Sequence, residues 1–195
     1  MTPRIADHPI DTAFLDRWSP RAFDHSVMPE EDLLAMFEAA RWAPSAFNSQ
    51  PWRFLYALRG DPDWDRFLGL LIPWNQAWAQ SASALIYILS DRQPMTDKTG
   101  EPASSHTHSY DAGAAWGYLA LQATKMGYQA HGMSGVDFDR AQAELSVPER
   151  YRIEAAAVVG RIGDPATLPE KLRARETPSG RKHVEEFAFQ GSFRA

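Results

Sequence analysis

The sequence contains no cysteine, which excludes disulfide bonds and thiolate nucleophiles. It also has no apolar run close to the roughly 18–20 residues that a membrane span needs. The stretch 1–14 lacks the basic start and apolar core of a signal peptide, so we expect a cytoplasmic protein. The formal net charge of -5 argues against general binding to nucleic acid or to anionic membranes.

Motifs for metals and dinucleotides are missing as well. The six histidines show no HExxH or similar ligand spacing, and the closest pair, His106 and His108, falls in a polar stretch. No metal site is therefore predicted. The chain has no GxGxxG fingerprint, and no triad-like set of side chains predicts a catalytic nucleophile.

The chain is long and apolar enough for one sizeable core. It has 195 residues with 44% hydrophobic content, and we treat residues 1–195 as a single domain. Seven tryptophans suggest flat surfaces at an interface or around a planar ligand, although a large aromatic core is the commoner explanation.

The apolar spacing predicts helices with three or so strands between them, which is an α+β domain. A helix is predicted to start at Pro29, to carry acidic residues in its first turn and to end before Pro44. Strands are predicted at 52–58, 84–90 and 154–163, and a polar loop at 92–109.

The segment 109–128 is the most informative helix. One side carries larger apolar residues, and the other carries Gly113, Ala114, Gly117 and Ala120, which let another backbone approach closely. We interpret it as a central helix shared with a second subunit. The alternative is a central helix within a monomeric core.

The composition changes after Gly163 to prolines and basic residues without a clear core period. The last ten or so residues contain phenylalanines, which favour burial. Residues 164–195 are therefore predicted to form a C-terminal arm that packs on the partner subunit.

Three polar clusters are candidates for holding a ligand. Arg17, Ser19 and Arg21 alternate in a proline-containing stretch, and the planar donors of arginine suit a phosphate group. Asn48 and Gln50 carry amides that can pair with the edge of a heterocycle. The stretch GRK near the C-terminus is the third cluster. Each also has a structural interpretation, namely surface ion pairs, a capped helix end and solvated tail charge.

The order of these features resembles the nitroreductase family of FMN-dependent oxidoreductases over nearly the whole chain. The matching motifs are RWSPRAF (17–23), AARWAPSAFNSQPWRF (39–54), NQAWAQSASALIYI (75–88), YDAGAAWGYLALQATKMGY (110–128), HGMSGVDF (131–138) and GRKHVEEF (180–187). The resemblance implies an α+β fold with a central antiparallel or mixed sheet flanked by helices. It also implies an intertwined homodimer with FMN at the subunit interface.

The resemblance further implies which residues bind the cofactor. Two clusters of basic residues, one near each end of the chain, would hold the phosphate and ribityl end. A loop would approach the flavin from the other subunit. An amide would meet the pyrimidine edge of the flavin, and a glycine-rich segment would face flavin N5. In chain order these positions are Arg17, Trp18, Ser19 and Arg21; Pro44, Ser45, Asn48 and Gln50; Asn75 and Trp78; Gly132, Met133, Ser134 and Gly135; and Arg181 and Lys182.

Three of these positions depart from the family pattern. Trp18 stands where a basic residue or histidine is frequent, Trp78 replaces a lysine near the flavin C2 carbonyl, and Ser134 replaces a frequent glutamate. The missing positive charge at Trp78 is expected to lower the flavin potential or to alter the choice of substrate.

The implied function is that of an NAD(P)H-dependent oxidoreductase acting on nitroaromatic, quinone or similar electron-poor acceptors. NADH or NADPH would pass hydride to flavin N5 and leave, and the acceptor would take its place in a ping-pong cycle. Two alternatives stay open: a flavoenzyme of the same fold with another reaction, such as dehalogenation or flavin fragmentation, and a non-catalytic flavin-binding dimer. The expected partners are a second copy of the chain and a small-molecule acceptor, with no nucleic acid and no membrane.

Overall fold

The computed structural model describes residues 4–194. The helices are α1 (Ala13–Asp16), α2 (Glu30–Arg41), α3 (Trp64–Gly69), α4 (Pro73–Ala79), α5 (His108–Lys125), α6 (Phe138–Glu144) and α7 (Glu170–Arg173). The strands are β1 (Trp52–Leu58), β2 (Ala84–Asp91), β3 (Met95–Thr96), β4 (Pro102–Ala103), β5 (Gln129–Met133) and β6 (Tyr151–Gly160). Within the described residues, no helix combines the length and the apolar character that crossing a bilayer requires.

The central sheet is antiparallel throughout, with the strand order β1, β2, β6, β5, and β3 pairs with β4 in a separate hairpin. Every residue of β2 is buried because this strand lies inside the sheet and both of its faces are covered. The continuous apolar run ALIYIL is the sequence signature of such a strand.

Two apolar clusters cover the two faces of the sheet. Leu85 and Tyr87 of β2 join the cluster that includes residues of α3, α4, α6 and α7. Ile86 and Ile88 point to the opposite face, where they pack with residues of α2 and α5. Side chains alternate along a strand, so β2 contributes to both clusters. This arrangement confirms the prediction of an α+β fold built on an antiparallel sheet.

Strand β5 is the main element that the sequence prediction missed. Its five residues, QAHGM, include a glycine and two polar residues, so they lack a clear strand pattern. The last strand runs from Tyr151 to Gly160 and not from 154 to 163. The predicted loop 92–109 contains the β3–β4 hairpin and the start of α5.

Helix α5 packs against its own subunit through one side only. Ala115 and Leu119 are fully buried, whereas Tyr118 is 43% exposed. A Cβ placed on Gly113 or Gly117 would meet no atom within 4 Å. Of the small-residue face that the sequence predicted to meet a second subunit, Gly113 and Gly117 are therefore open in the protomer, whereas Ala120 is buried in its core.

The C-terminal segment has two parts. Leu168 and Leu172 belong to the core of their own subunit, and Glu176 is also buried. Farther along, Phe187 and Phe193 are 62% and 84% exposed. The arm predicted from residue 164 thus leaves its own core only after Glu176, and its packing on a partner stays a prediction.

Candidate functional site

The segment 17–21 lies against β5 and is held there by side chains of that strand. Gln129 accepts a hydrogen bond from the backbone N–H of Trp18 at 3.1 Å. His131 donates from Nδ1 to the carbonyl of Pro20 at 2.7 Å. Gln129 and His131 are two residues apart, so they share one face of the strand and fix the segment at two points.

Three arginines, Arg4, Arg17 and Arg181, carry charges that act on one another beside this segment, and the exposed Arg181 donates to Ser179 and Gly180 of its own loop. Arg17 is half-buried, and its Nη1 donates to the hydroxyl of Ser19 at 3.3 Å. Burial lowers the pKa of Arg17, and the charges of Arg181 and Arg4 lower it further. The pKa of Arg4 is lowered by burial and by Arg181, which Asp16 partly offsets. Such a concentration of like charge favours an anionic ligand.

Arg21 has different contacts, which come from the start of the C-terminal arm. The backbone N–H groups of Arg21 and Ala22 donate to Oε1 of Glu176 at 2.6 and 2.8 Å. The guanidinium of Arg21 lies 3.9 Å from Oε2 of Glu176 and 5.9 Å from the ring centroid of Trp78. The buried Glu176 carboxylate therefore fixes the end of the segment and orients Arg21 toward Trp78.

Trp78 and His131 form the floor of this region. Trp78 is 2% exposed, and the two ring centroids are 4.6 Å apart. Burial lowers the pKa of His131 to about 4, and the charges of Arg21 and Arg17 act in the same direction. His131 is therefore neutral at pH 7. Nε1 of Trp78 is buried without a hydrogen-bond partner among residues 4–194, and a ligand acceptor would compensate for this.

Asn75 joins α4 to the glycine-rich segment after β5. It is 8% exposed, and its Nδ2 donates to the carbonyl of Gly135 at 3.2 Å. The backbone N–H of Ile72 donates to the same carbonyl at 3.0 Å. A Cβ on Gly135 would lie 2.3 Å from Nδ2 of Asn75, so this close approach requires glycine. Asn75 is one helical turn before Trp78, which places the amide of Asn75 beside the ring of Trp78.

The loop 44–50 is exposed and carries backbone strain. Phe47, Asn48 and Gln50 have φ angles of 53°, 54° and 47°, in the left-handed region that non-glycine residues rarely adopt. The backbone N–H of Ala46 donates to Oδ2 of Asp111 at 3.2 Å, which ties the loop to α5. Strain of this kind persists where the surroundings enforce it, and such positions cluster at ligand sites.

The loop 44–50 and the segment 17–21 lie at opposite ends of α5. Asp111, which holds the loop, is in the first turn of the helix. Thr124, whose hydroxyl donates to Gln129 at 3.3 Å, is in the last turn. At 1.5 Å per residue, these two helix positions are about 20 Å apart.

One protomer therefore brings together only part of the predicted site. The residues assembled around β5 and α4 are Arg17, Trp18, Ser19, Arg21, Asn75, Trp78, Gly132, Met133, Ser134, Gly135 and Arg181. The residues held apart on the loop are Pro44, Ser45, Asn48 and Gln50. Lys182 is exposed and makes no hydrogen bond within residues 4–194.

The sequence did not single out Arg4, Gln129, His131 and Glu176. Recognition of β5 would have placed Gln129 and His131 together, since residues two apart share a strand face. Arg4 and Glu176 carry no such signal, because each is an isolated charged residue in an irregular stretch. Within the described chain, no group of three or more His, Asp or Glu side chains is placed to hold a metal ion.

A family model described as the nitroreductase family matches residues 15–67 and 65–161 of this chain. The chain belongs to the nitroreductase family. This confirms the resemblance drawn from the motifs, and the nitroreductase fold is confirmed by solved structures. One of these, described as an oxidoreductase containing FMN, matches with a TM-score of 0.95 and 48% identity, covering 98% of this chain and 96% of the other.

Two curated proteins illustrate the range of nitroreductase-family relatives. A Mycolicibacterium smegmatis protein named as an uncharacterized 15.4 kDa protein in the ask 5' region is 34% identical over 148 residues. The match covers 71% of this chain and 95% of that protein. A Thermus thermophilus NADH dehydrogenase is 27% identical over 176 residues, with 76% of this chain and 84% of that protein covered.

Proposed function

We propose that this nitroreductase-family protein is an FMN-dependent oxidoreductase that uses NADH or NADPH to reduce nitroaromatics, quinones or similar electron-poor acceptors. The observation that carries the proposal is the contact of Arg17 with Ser19 on a segment that also carries Arg21, with Arg181 near enough for its charge to lower the pKa of Arg17. The relative of 48% identity is described as containing FMN, and the Thermus relative is named for its NADH activity, which supports the cofactor and the donor.

The donor set fits the parts of FMN. Arg17, Ser19 and Arg181 supply guanidinium and hydroxyl groups for a phosphate. Asn75 carries an amide that can both donate and accept at the pyrimidine edge of a flavin. The glycines of the segment 132–135 allow close packing, because Trp116 lies directly over Gly132, and Asn75 and Ile72 lie directly over Gly135.

FMN, when bound, supplies the hydride chemistry between reduced nicotinamide and acceptor. The protein side chains bind and orient, and none is required as a nucleophile. Arg21, which Glu176 holds over Trp78, provides a positive charge near the position where Trp78 replaces the lysine common in the family. Because the buried Glu176 carboxylate offsets this charge, we do not expect Arg21 to replace the missing lysine.

The geometry of α5 supports a homodimeric site. The loop 44–50 and the arginine cluster are separated by the length of this helix, so we propose that each loop approaches the flavin bound by the other subunit. The open face around Gly113 and Gly117 supplies a surface on which a second helix backbone can pack closely.

The proposed function is tested by the visible absorption spectrum of the purified protein, followed by identification of the released chromophore. Bound FMN that NADH or NADPH bleaches anaerobically, and that a nitroaromatic or quinone then reoxidises, is the expected result. Protein that is colourless and cannot be reconstituted with FMN would contradict the proposal. Flavin that is bound but not reduced would point to the non-catalytic alternative.

Substitution of Arg17 tests the placement of the phosphate. Arg17→Ala is expected to fold but to bind FMN at least tenfold more weakly, because charge-assisted hydrogen bonds to a phosphate contribute about 1.5–3 kcal/mol. Arg66→Gln is a suitable control, since Arg66 pairs with Asp63 at 2.9 Å on the surface of α3. Titration of each apoprotein with FMN measures the dissociation constant. Equal affinity in both variants would contradict the assignment.

A further inference from the structure

The segment from Arg4 to Asp7, here called the N-terminal strap, contacts the backbone around Arg17 at one end and the C-terminal arm that carries Arg181 at the other. Arg4 donates from Nη1 to the carbonyl of Arg17 at 2.7 Å and also to the carbonyl of Leu15. Asp7 accepts hydrogen bonds from Nδ1 of His183 and from the backbone N–H of Val184, both at 2.9 Å. The strap therefore connects the backbone of Leu15 and Arg17 with the arm that carries Arg181.

The arm is also fixed from its own side. The backbone N–H of His183 donates to Glu186 at 2.8 Å, which closes the turn just after Arg181 and Lys182. Asp7 raises the pKa of His183 through its hydrogen bond and its charge, and Glu186 and Glu185 add to the effect. The protonated imidazole is thus favoured next to Asp7, so the contact is an ion pair as well as a hydrogen bond.

Arg4 adds charge to the cluster as well as contacts. The charge of Arg181 lowers the pKa values of Arg4 and Arg17, and the charge of Arg4 also lowers the pKa of Arg17. Three clustered guanidiniums repel one another, and a group with two negative charges relieves this repulsion more than a neutral group can. The family match begins at residue 15, so family membership alone does not account for the strap.

We propose that the N-terminal strap completes the phosphate end of the flavin site. Arg4 is a third phosphate-binding guanidinium, and Asp7, through His183, is a positioning residue that keeps Arg181 in the cluster. This inference rests on the proposed function. Its consequence is that the strap selects FMN over riboflavin, which has the same ring system but no phosphate.

The test is fluorescence titration of apoprotein with FMN and, separately, with riboflavin. In Arg4→Gln the FMN dissociation constant should rise about tenfold, the effect of roughly one charge-assisted hydrogen bond, while that for riboflavin changes less than about twofold. In Asp7→Asn the rise for FMN should be smaller, about threefold, because the His183 contact is at the surface. Asp63→Asn and Arg66→Gln, which remove the two halves of an exposed ion pair on α3, are the matched controls.

The outcomes separate the strap from the proposed function. A variant that binds FMN and riboflavin more weakly by the same factor would show a general effect on folding and would overturn the proposal. So would wild-type affinity in Arg4→Gln, although the FMN function would stand. If the wild-type apoprotein binds neither flavin, the proposed function itself is overturned and the strap proposal with it. A smaller preference for FMN over riboflavin in both strap variants, with unchanged controls, supports the proposal.

Discussion

The titration of His131, which packs against Trp78, makes the stability of the folded protein depend on pH. Burial lowers its pKa to about 4 in the folded protein, from 6.5 as the ordinary value. Between these values the unfolded chain binds a proton that the folded protein does not. The contribution to stability is therefore fully present above about pH 6.5 and is lost as the pH falls toward 4. The shift corresponds to roughly 3 kcal/mol at most.

The measurement is urea denaturation of the wild type and of His131→Asn at pH 7 and pH 4.5. Asparagine can still donate to the Pro20 carbonyl but does not titrate, so carboxylates affect both proteins alike. We expect the wild type to lose about 2 kcal/mol more than the variant over this range. Parallel losses would mean that folding does not lower the pKa of His131.

Gly135 tests the close contact between α4 and the segment after β5. Its replacement by alanine would place a Cβ 2.3 Å from Nδ2 of Asn75 and 2.7 Å from Cδ1 of Ile72, so both side chains must move. We expect Gly135→Ala to lose about 1–3 kcal/mol of unfolding free energy and to bind FMN more weakly. Gly69→Ala is the control, because a Cβ there meets no atom within 4 Å. Equal stability of the two variants in thermal denaturation would contradict this account.

At the level of residues, the sequence identified the groups with a recognisable motif. The family resemblance predicts Arg17, Ser19 and Arg181 together; the structure shows the contact of Arg17 with Ser19, and the charge of Arg181 lowers the pKa of Arg17. Glu176 and Arg4 could not be predicted, because their roles arise from tertiary contacts with backbone groups far away in sequence. An isolated charged residue looks the same in the sequence whether it is solvated or binds a buried amide.

At the level of elements, strands with strong patterns were predictable and β5 was not. Strand β2 has a continuous apolar run, whereas β5 combines two polar side chains with a glycine, because one of its faces serves the segment 17–21. The functional role of Gln129 and His131 is therefore the reason that the strand pattern is weak. For the same reason the sequence indicated the segment 132–135 as a family motif, and did not indicate that its first two residues belong to a strand.

The loop 44–50 gives a prediction about Phe47. This residue is 90% exposed with a φ of 53°, and it lines a cleft of about 610 Å³ with Met95, Pro102 and others. Phe47→Gly should leave stability nearly unchanged, because relief of roughly 1 kcal/mol of left-handed strain offsets the added chain entropy. If the ring walls the acceptor slot, KM for a nitroaromatic should rise about two- to tenfold.

Phe47→Tyr keeps the ring and is the matched control. It should retain the KM of the wild type, while Phe47→Gly does not. Steady-state kinetics with one nitroaromatic and one small aliphatic acceptor separate stacking from access, since only the aromatic acceptor benefits from the ring. An unchanged KM in Phe47→Gly would remove Phe47 from the slot.

At the level of the whole molecule, the separation of the two parts of the predicted site favours the proposed homodimer. Asp111 anchors the loop at one end of α5, and Gln129 anchors the segment 17–21 near the other end. The sequence predicted the dimer from the small-residue face of α5, and the protomer leaves Gly113 and Gly117 of that face open. Both observations favour the proposed homodimer, although they come from different residues.

Gly117→Gln tests this requirement directly. In a monomer the glutamine side chain would extend into open space, and replacing a helical glycine should stabilise the helix by roughly 0.5–1 kcal/mol. In the proposed dimer the same side chain would keep the two helices apart. We therefore expect a folded chain that sediments as a monomer and has lost bound FMN, because the partner's loop is missing. Gly69→Gln, the same change on α3, should remain dimeric and flavin-bound, and a dimeric Gly117→Gln would place the subunit contact elsewhere.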